Sequence, residues 1–482
     1  MKTLKLTLIV LFIFVSVSGI AQINSWTGSG DGTSYNDPNN WSSGSTPSTL
    51  DTLIFDDVTV TVTNLPTGMS VILSGIKIIN NSNIIFESGS NTVNFILQNL
   101  TVESGNIFKL SGTPVISISF TNANIEGILN TGENHQFISL GTLNFIGTAQ
   151  VITANPGGFE AGIQGPYNST NSFSIYYNGT SEQSTGLLNH SMPIGNIVVE
   201  NSQNVIMDTN IQTDTLNLTE GNFDIDSYTL TISGKINYQN GNLAGNGASG
   251  LTISGSNNTD FQIDLSFDPN YNILNTLSVN RPDDIINIKS DLTVNNFLDL
   301  SNGKLRLYKT LFLPNTATIN ASQTNYILTE LGAYVNKNIT AGSTEIIPIG
   351  TENSYAPVEI HPFSSDDFSI SVHDGIFSEG DYGTPFVHNN VNLRWEIYPA
   401  TNTTFDLSLE WNTASEIGTI GPTCYISNFN GIDWSNSLIS AVSNDVNFNT
   451  AGPVTFTGSS GFFGVFWGTN EFPTTSDNEV IT

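Results

Sequence analysis

The chain is poor in charge, poorer still in positive charge, and almost free of cysteine. Only 11% of its 482 residues are Asp, Glu, Lys or Arg, and 12 basic side chains stand against 42 acidic ones, a formal charge of −30. Between Lys5 and Lys77 there is no basic residue at all. That excludes nucleic acid as a partner, because phosphate binding needs clustered Lys and Arg to displace counterions. The single cysteine, Cys424, cannot close an intramolecular disulfide, and its plain reading is a small apolar residue in a strand. Beyond the N-terminus no run approaches the roughly 18 apolar residues of a membrane helix, so no transmembrane segment is expected. The apolar stretches are also shorter than the ~10-residue strands of an outer-membrane barrel. What fills the chain instead is 43 Gly and 61 Asn, with abundant Ser and Thr, a neutral and polar surface unlike that of a helical enzyme.

The N-terminus has the form of a secretory signal: Lys2 and Lys5, an apolar run over residues 6–17, then Ser18, Gly19 and Ala21. Cleavage is expected after Ala21, which makes 1–21 a signal peptide and leaves ten basic and 42 acidic side chains. The expected location is secreted, extracellular or cell-surface.

From Asp51 onward, short period-two segments recur, as at residues 58–62, 71–73 and 117–120, each bounded by Gly, Asn or Ser. The fold class is therefore all-β. A template of apolar, x, apolar, x, x, Gly, x, apolar fits Leu216, Leu218, Gly221 and Phe223, and fits again 20 residues later at Ile236, Tyr238, Gly241 and Leu243. Two further copies are Leu100, Val102, Gly105, Ile107 and Leu298, Leu300, Gly303, Leu305. A recurrence of 20 residues is one coil of a parallel β-helix, or β-solenoid, and residues 51–330 would make about 14 coils at that spacing. Asn suits its turns, since it tolerates left-handed backbone and its amide can bond to the same residue in the next coil. Residues 22–50 form an N-terminal cap in this reading. Residues 155–193, with Pro156, Gly157, Gly158, Gly165 and Pro166, interrupt the repeat and mark an irregular loop or a join. Residues 331–470 carry longer alternating strands and Trp395, Trp411, Trp434 and Trp467, which suggests an antiparallel β-sandwich following the solenoid. Residues 471–482 read as a flexible tail.

Several of these features taken together resemble secreted Asn/Thr/Gly-rich surface proteins of the Bacteroidetes. They are Trp26 with Gly28 to Gly32, Asn36 to Trp41, Tyr177 to Gly179 with Gln183, Leu298 to Gly303, Ile347 to Gly350, Tyr355 to Val358 and Leu393 to Ile397. The resemblance implies export and a surface location, often as cargo of type IX secretion. The chain departs from it in having no evident C-terminal sorting domain after Phe462 to Phe466. It also implies O-glycosylation at Asp-Thr-hydrophobic triplets, which puts Thr52 and Thr215 forward.

Candidate sites follow from residue chemistry. Asp31 and Asp37 sit among Asn oxygens in the turn-rich residues 28–41, a donor set suited to calcium, although the same stretch serves equally as a polar cap. Tyr167, Tyr176 and Tyr177 lie beside the irregular loop, where exposed rings would stack on sugar faces. Arg281, Asp283, Asp284 and Lys289 form the best mixed-charge cluster and would be the base and acids of a polysaccharide-cleaving β-helix. The strongly negative chain repels polyuronates, which counts against that chemistry. The histidines His135, His190, His361, His373 and His388 have no metal-ligand spacing, and no Gly-x-Ser-x-Gly precedes a helix. The sequence thus reads as a non-catalytic adhesin, structural rod or glycan-contacting module, with glycans or other surface proteins as partners. The alternative is a right-handed β-helix lyase or glycoside hydrolase.

Overall fold

A computed structural model of the chain describes residues 21–68, 70–169, 173–187, 194–256, 263–418, 423–435, 439–443, 448–455 and 461–467. The expected signal segment up to residue 20, His190 and the expected tail at 471–482 lie outside the described residues. Strand accounts for 59% of the chain and helix for 2%, and the strands build a β-solenoid of about 13 turns with a spacing near 22 residues. Two compact units divide the chain: one runs to Ile152 and takes in Gly162–Asn171, and the other holds Thr153–Ala161 and everything from Ser172.

In the first unit the strands Thr52–Asp56, Val71–Ile79, Val93–Val102, Ile116–Ile125 and Gln136–Phe145 stack in parallel. A second parallel ladder holds the shorter strands Thr59–Val62, Asn83–Ser88, Ile107–Gly112, Ile128–Asn130 and Gln150–Thr153. The long strands bend because their alternation slips by one. In Val93–Val102 the buried positions are 93, 95 and 97, then 100 and 102, with Gln98 and Asn99 both exposed between them. Two consecutive outward residues reverse the face that period two would bury, so the chain turns a corner there. Thr121 with Asn122 repeats the device in the next coil, and in Gln136–Phe145 the three outward residues 140–142 make the corner at a break in register. Each coil therefore offers three inward-facing segments. Their side chains stack along the core: Phe55, Phe86, Phe108 and Phe137 follow one another with ring centroids 6.0, 5.0 and 5.5 Å apart. Each such ring, fully buried, contributes about 1.5–3 kcal/mol of transfer free energy. Trp26 and Trp41, edge to face at 4.9 Å, with Tyr35 beside them, cover this stack at its N-terminal end. A solenoid core left uncovered there would present apolar surface and unpaired strand edge to water.

The second unit contains the repeat in its most regular form. Leu216 faces Ile236, Leu218 faces Tyr238, Gly221 faces Gly241 and Phe223 faces Leu243 in the parallel pairing of Ile211–Asp224 with Thr229–Gly245. The ladder continues through Phe267–Ile288, Leu292–Leu307 and Leu311–Leu313. The average coil is longer than 20 residues because both units also contain longer turns, with Thr52 facing Gly75, Val71 facing Phe95 and Gly250 facing Thr276. Strand Val335–Ile339 is where the pattern changes: it pairs in parallel with Leu311–Leu313 on one side and antiparallel with Asp366–Asp374 on the other. From there the pairing is antiparallel through Leu393–Pro399, Phe462–Trp467 and Thr423–Asn428, and on the other side through Val358–Pro362, Thr404–Glu410 and Phe448–Thr455. Phe368 and Phe405, on strands that do not pair with each other, meet edge to face at 5.2 Å between the two layers. Trp395, Trp411, Trp434 and Trp467 are all buried here.

Candidate functional site

The N-terminal turn uses its carboxylates as caps. Asp31 Oδ1 accepts the N–H groups of Thr33 and Ser34 and the Asn40 side-chain amide, at 2.7–2.9 Å. The backbone bond from Ser34 is the largest influence, followed by those from Thr33 and Asn40, and together they hold the carboxyl below its ordinary range. Asp37 accepts from Asp31 N and Asn39 N, and Asn40 Oδ1 accepts from Gly30 N and Gly32 N. Among the described residues no group of three or more His, Cys, Asp and Glu is placed to hold a metal ion.

The three tyrosines do not form one platform. Tyr176 and Tyr177 are neighbours in strand Ser174–Tyr177, so alternation sends their rings to opposite faces. Tyr177 is fully buried and donates its hydroxyl to Thr185 O at 2.8 Å, which removes it from any ligand. Tyr176 is half-buried, and Tyr167, in the other unit, packs edge to face on Phe145 at 6.2 Å. The stretch around them is less irregular than its prolines and glycines suggest. Ser174–Tyr177 and Gln183–Ser184 pair in parallel with the following coil.

The mixed-charge cluster also disperses. Arg281 is 1% exposed, with Nε 2.5 Å from Asp284 Oδ2, and its Nη1 donates to the carbonyls of Ser233, Gly234 and Ser254. An arginine so placed ties neighbouring coils together and is not available as a base. Lys289 sits elsewhere, over the Tyr308 ring at 3.2 Å and 4.0 Å from Asp264. Asp283 alone remains at the surface, in a left-handed turn with φ 60° that Asp tolerates. Thr52 and Thr215 are both half-buried within parallel strands, and the Thr215 hydroxyl bonds to Asp214 at 3.3 Å.

One concavity is not announced by the sequence. It is an open cleft of about 1050 Å³ in the second unit, lined by residues 282–285 and 302–304 of the solenoid, by 323–326, by 352, 353 and 355, and by 410–413 of the antiparallel part. Its floor includes Gly303, whose φ of 137° and close approach to Arg281 O leave no room for a side chain. Tyr326 and Tyr355 stand with ring centroids 5.3 Å apart, and Lys304 Nζ lies 4.1 Å from the centre of the Tyr326 ring. The Tyr326 hydroxyl donates to Thr351 O, and the Trp411 indole to Glu416 Oε1. Glu352 is held by Arg306, which also meets Glu330 at 3.5 Å. Burial raises the carboxyl pKa of Glu410, and burial followed by the Glu410 charge raises the phenol of Tyr355. Tyr326 is buried, so the cleft combines one half-buried ring, that of Tyr355, with amides, hydroxyls and one desolvated carboxylate. These residues are spread over some 130 positions and meet only once the solenoid ends and the antiparallel layers begin. No motif in the linear sequence could have assembled them. Compared with family models, curated proteins and solved structures, the chain matches none.

Proposed function

We propose that the chain is a secreted, non-catalytic surface protein, a β-solenoid protein whose cleft in the second unit contacts a glycan. The observation that carries this reading is the lining of the cleft. The half-buried Tyr355, backed by the buried Tyr326, offers a ring face, and Asn302, Asn325, Asn353 and Thr413 offer donors and acceptors on the same lining. Export rests on the signal pattern of residues 1–21, and adhesion or a structural role on the repetitive, neutral-polar surface. Other surface proteins are the alternative partners on that surface. Calcium has no necessary part, since Asp31 Oδ1 already accepts three N–H donors. Soluble oligosaccharide titrated into the full chain should bind, and Tyr355→Ala should weaken it about tenfold, the worth of one lost stacking face. Binding unaffected by Tyr355→Ala would move the ligand away from this cleft.

One observation favours a second reading. Glu410 has its carboxyl raised by burial and shares a cleft with Asp283, the condition of a general acid with a second carboxylate nearby. In that case incubation with polysaccharide would release reducing or unsaturated ends, and Glu410→Gln would abolish release while retaining binding.

A further inference from the structure

We propose that the cleft selects amine-bearing glycans over uronic-acid glycans, with the Glu410 carboxylate taking the ligand's ammonium group. This rests on the glycan reading above and names the class of sugar it favours. The argument begins with which charges in the cleft are already satisfied. Asp284 is paired with the buried Arg281 at 2.5 Å, Glu352 with Arg306, and Lys304 lies over the Tyr326 ring. Glu410 is different. It is half-buried, and among the described residues its carboxylate has neither a hydrogen bond nor an ion pair. A desolvated carboxylate without a partner is a cost to the folded protein that a ligand donor would offset, and a cationic donor would offset it best.

The neighbours of Glu410 say what else that ligand must carry. Tyr355 is close enough for the Glu410 charge to raise its phenol, and its ring stands against that of Tyr326. A sugar ring laid on the Tyr355 face brings its ring substituents to Glu410. A ligand carboxylate there would meet Glu410, with Asp283 also on the cleft wall, and the cation on the lining, Lys304, is held over the Tyr326 ring. An ammonium in the same place makes a charge-assisted hydrogen bond, while an N-acetyl group makes only a neutral one.

The test is isothermal titration of the full chain with three hexasaccharides: of glucosamine, of N-acetylglucosamine and of galacturonic acid, at a pH where the amines are protonated. The glucosamine oligomer is expected to bind about tenfold tighter than its N-acetylated counterpart, the difference between a charged and a neutral hydrogen bond. The galacturonate oligomer is expected not to bind. Glu410→Gln, nearly isosteric, should bring the first two affinities together. Equal affinities in the unmodified chain, or a preference that survives Glu410→Gln, would overturn the selectivity and leave the glycan reading in place. Failure of all three to bind would overturn both. Should Glu410→Gln not fold, the salt dependence of the unmodified chain decides: a preference that shrinks with added salt supports the pairing, and one indifferent to salt refutes it.

Discussion

Arg281 shows how a charged residue can serve the coil and not the chemistry. Its guanidinium is almost wholly buried, paired with Asp284 and bonded to three carbonyls from two neighbouring coils. Removing it leaves a buried carboxylate and three orphaned acceptors, so Arg281→Met should destabilise the second unit by about 3–5 kcal/mol. Thermal unfolding followed by circular dichroism checks this, and a melting point within a degree or so of the parent would contradict it. His135 makes a similar case for pH in the first unit. Its Nδ1 accepts the Ile116 N–H at 3.0 Å, which requires the neutral ring, and burial holds its pKa below the ordinary 6.5. The unfolded chain takes up the proton near that value and the folded chain resists it. Stability is therefore complete above pH 6.5 and falls as the pH drops from there toward the depressed folded value. His135→Asn, which keeps an acceptor in place of Nδ1, should flatten the slope of denaturant midpoint against pH in that window.

The coil is the element on which the fold depends, and its corners decide whether coils stack. Gly221 has φ 75°, and a Cβ there would lie 1.8 Å from Asn201 O of the preceding coil. Gly241, directly opposite it in register, would press on Gly221 O at 2.5 Å. Gly221→Val combines a left-handed backbone penalty of about 1–3 kcal/mol with a backbone clash. It should cut amide exchange protection in Ile211–Asp224 and Thr229–Gly245 together, while the first unit keeps its own. These corners are also why the repeat was legible. The spacing of Leu216, Leu218, Gly221 and Phe223 against the residues 20 positions on is the register itself, with Gly241 directly opposite Gly221. The longer steps of the first unit were not legible. There the corners are made by pairs such as Gln98 with Asn99, which any polar residues satisfy. Asn ladders belong to this scale as well: Asn217 bonds to Asn196 on one side and receives Asn237 at 2.6 Å on the other. Part of the Asn content thus serves coil-to-coil bonding.

At the scale of the whole molecule, function depends on what the ordered backbone brings together, and here the sequence carried less. Residue type drew attention to Tyr177, but alternation in its strand buries it. Charge drew attention to Arg281 and Lys289, which satisfy different partners. The cleft residues Lys304, Tyr326, Tyr355 and Glu410 had no common spacing to reveal them, since they come from two solenoid coils and from the antiparallel layers that follow. Their convergence makes binding of a hydroxyl-rich ligand the central claim. The most direct measurement is a glycan and polysaccharide array probed with the full chain and with Tyr355→Ala, scored for retention and for release of reducing or unsaturated ends. Retention by the unmodified chain, lost in Tyr355→Ala and without release of ends, is the predicted result. Release of ends, or absence of any retention, would contradict it.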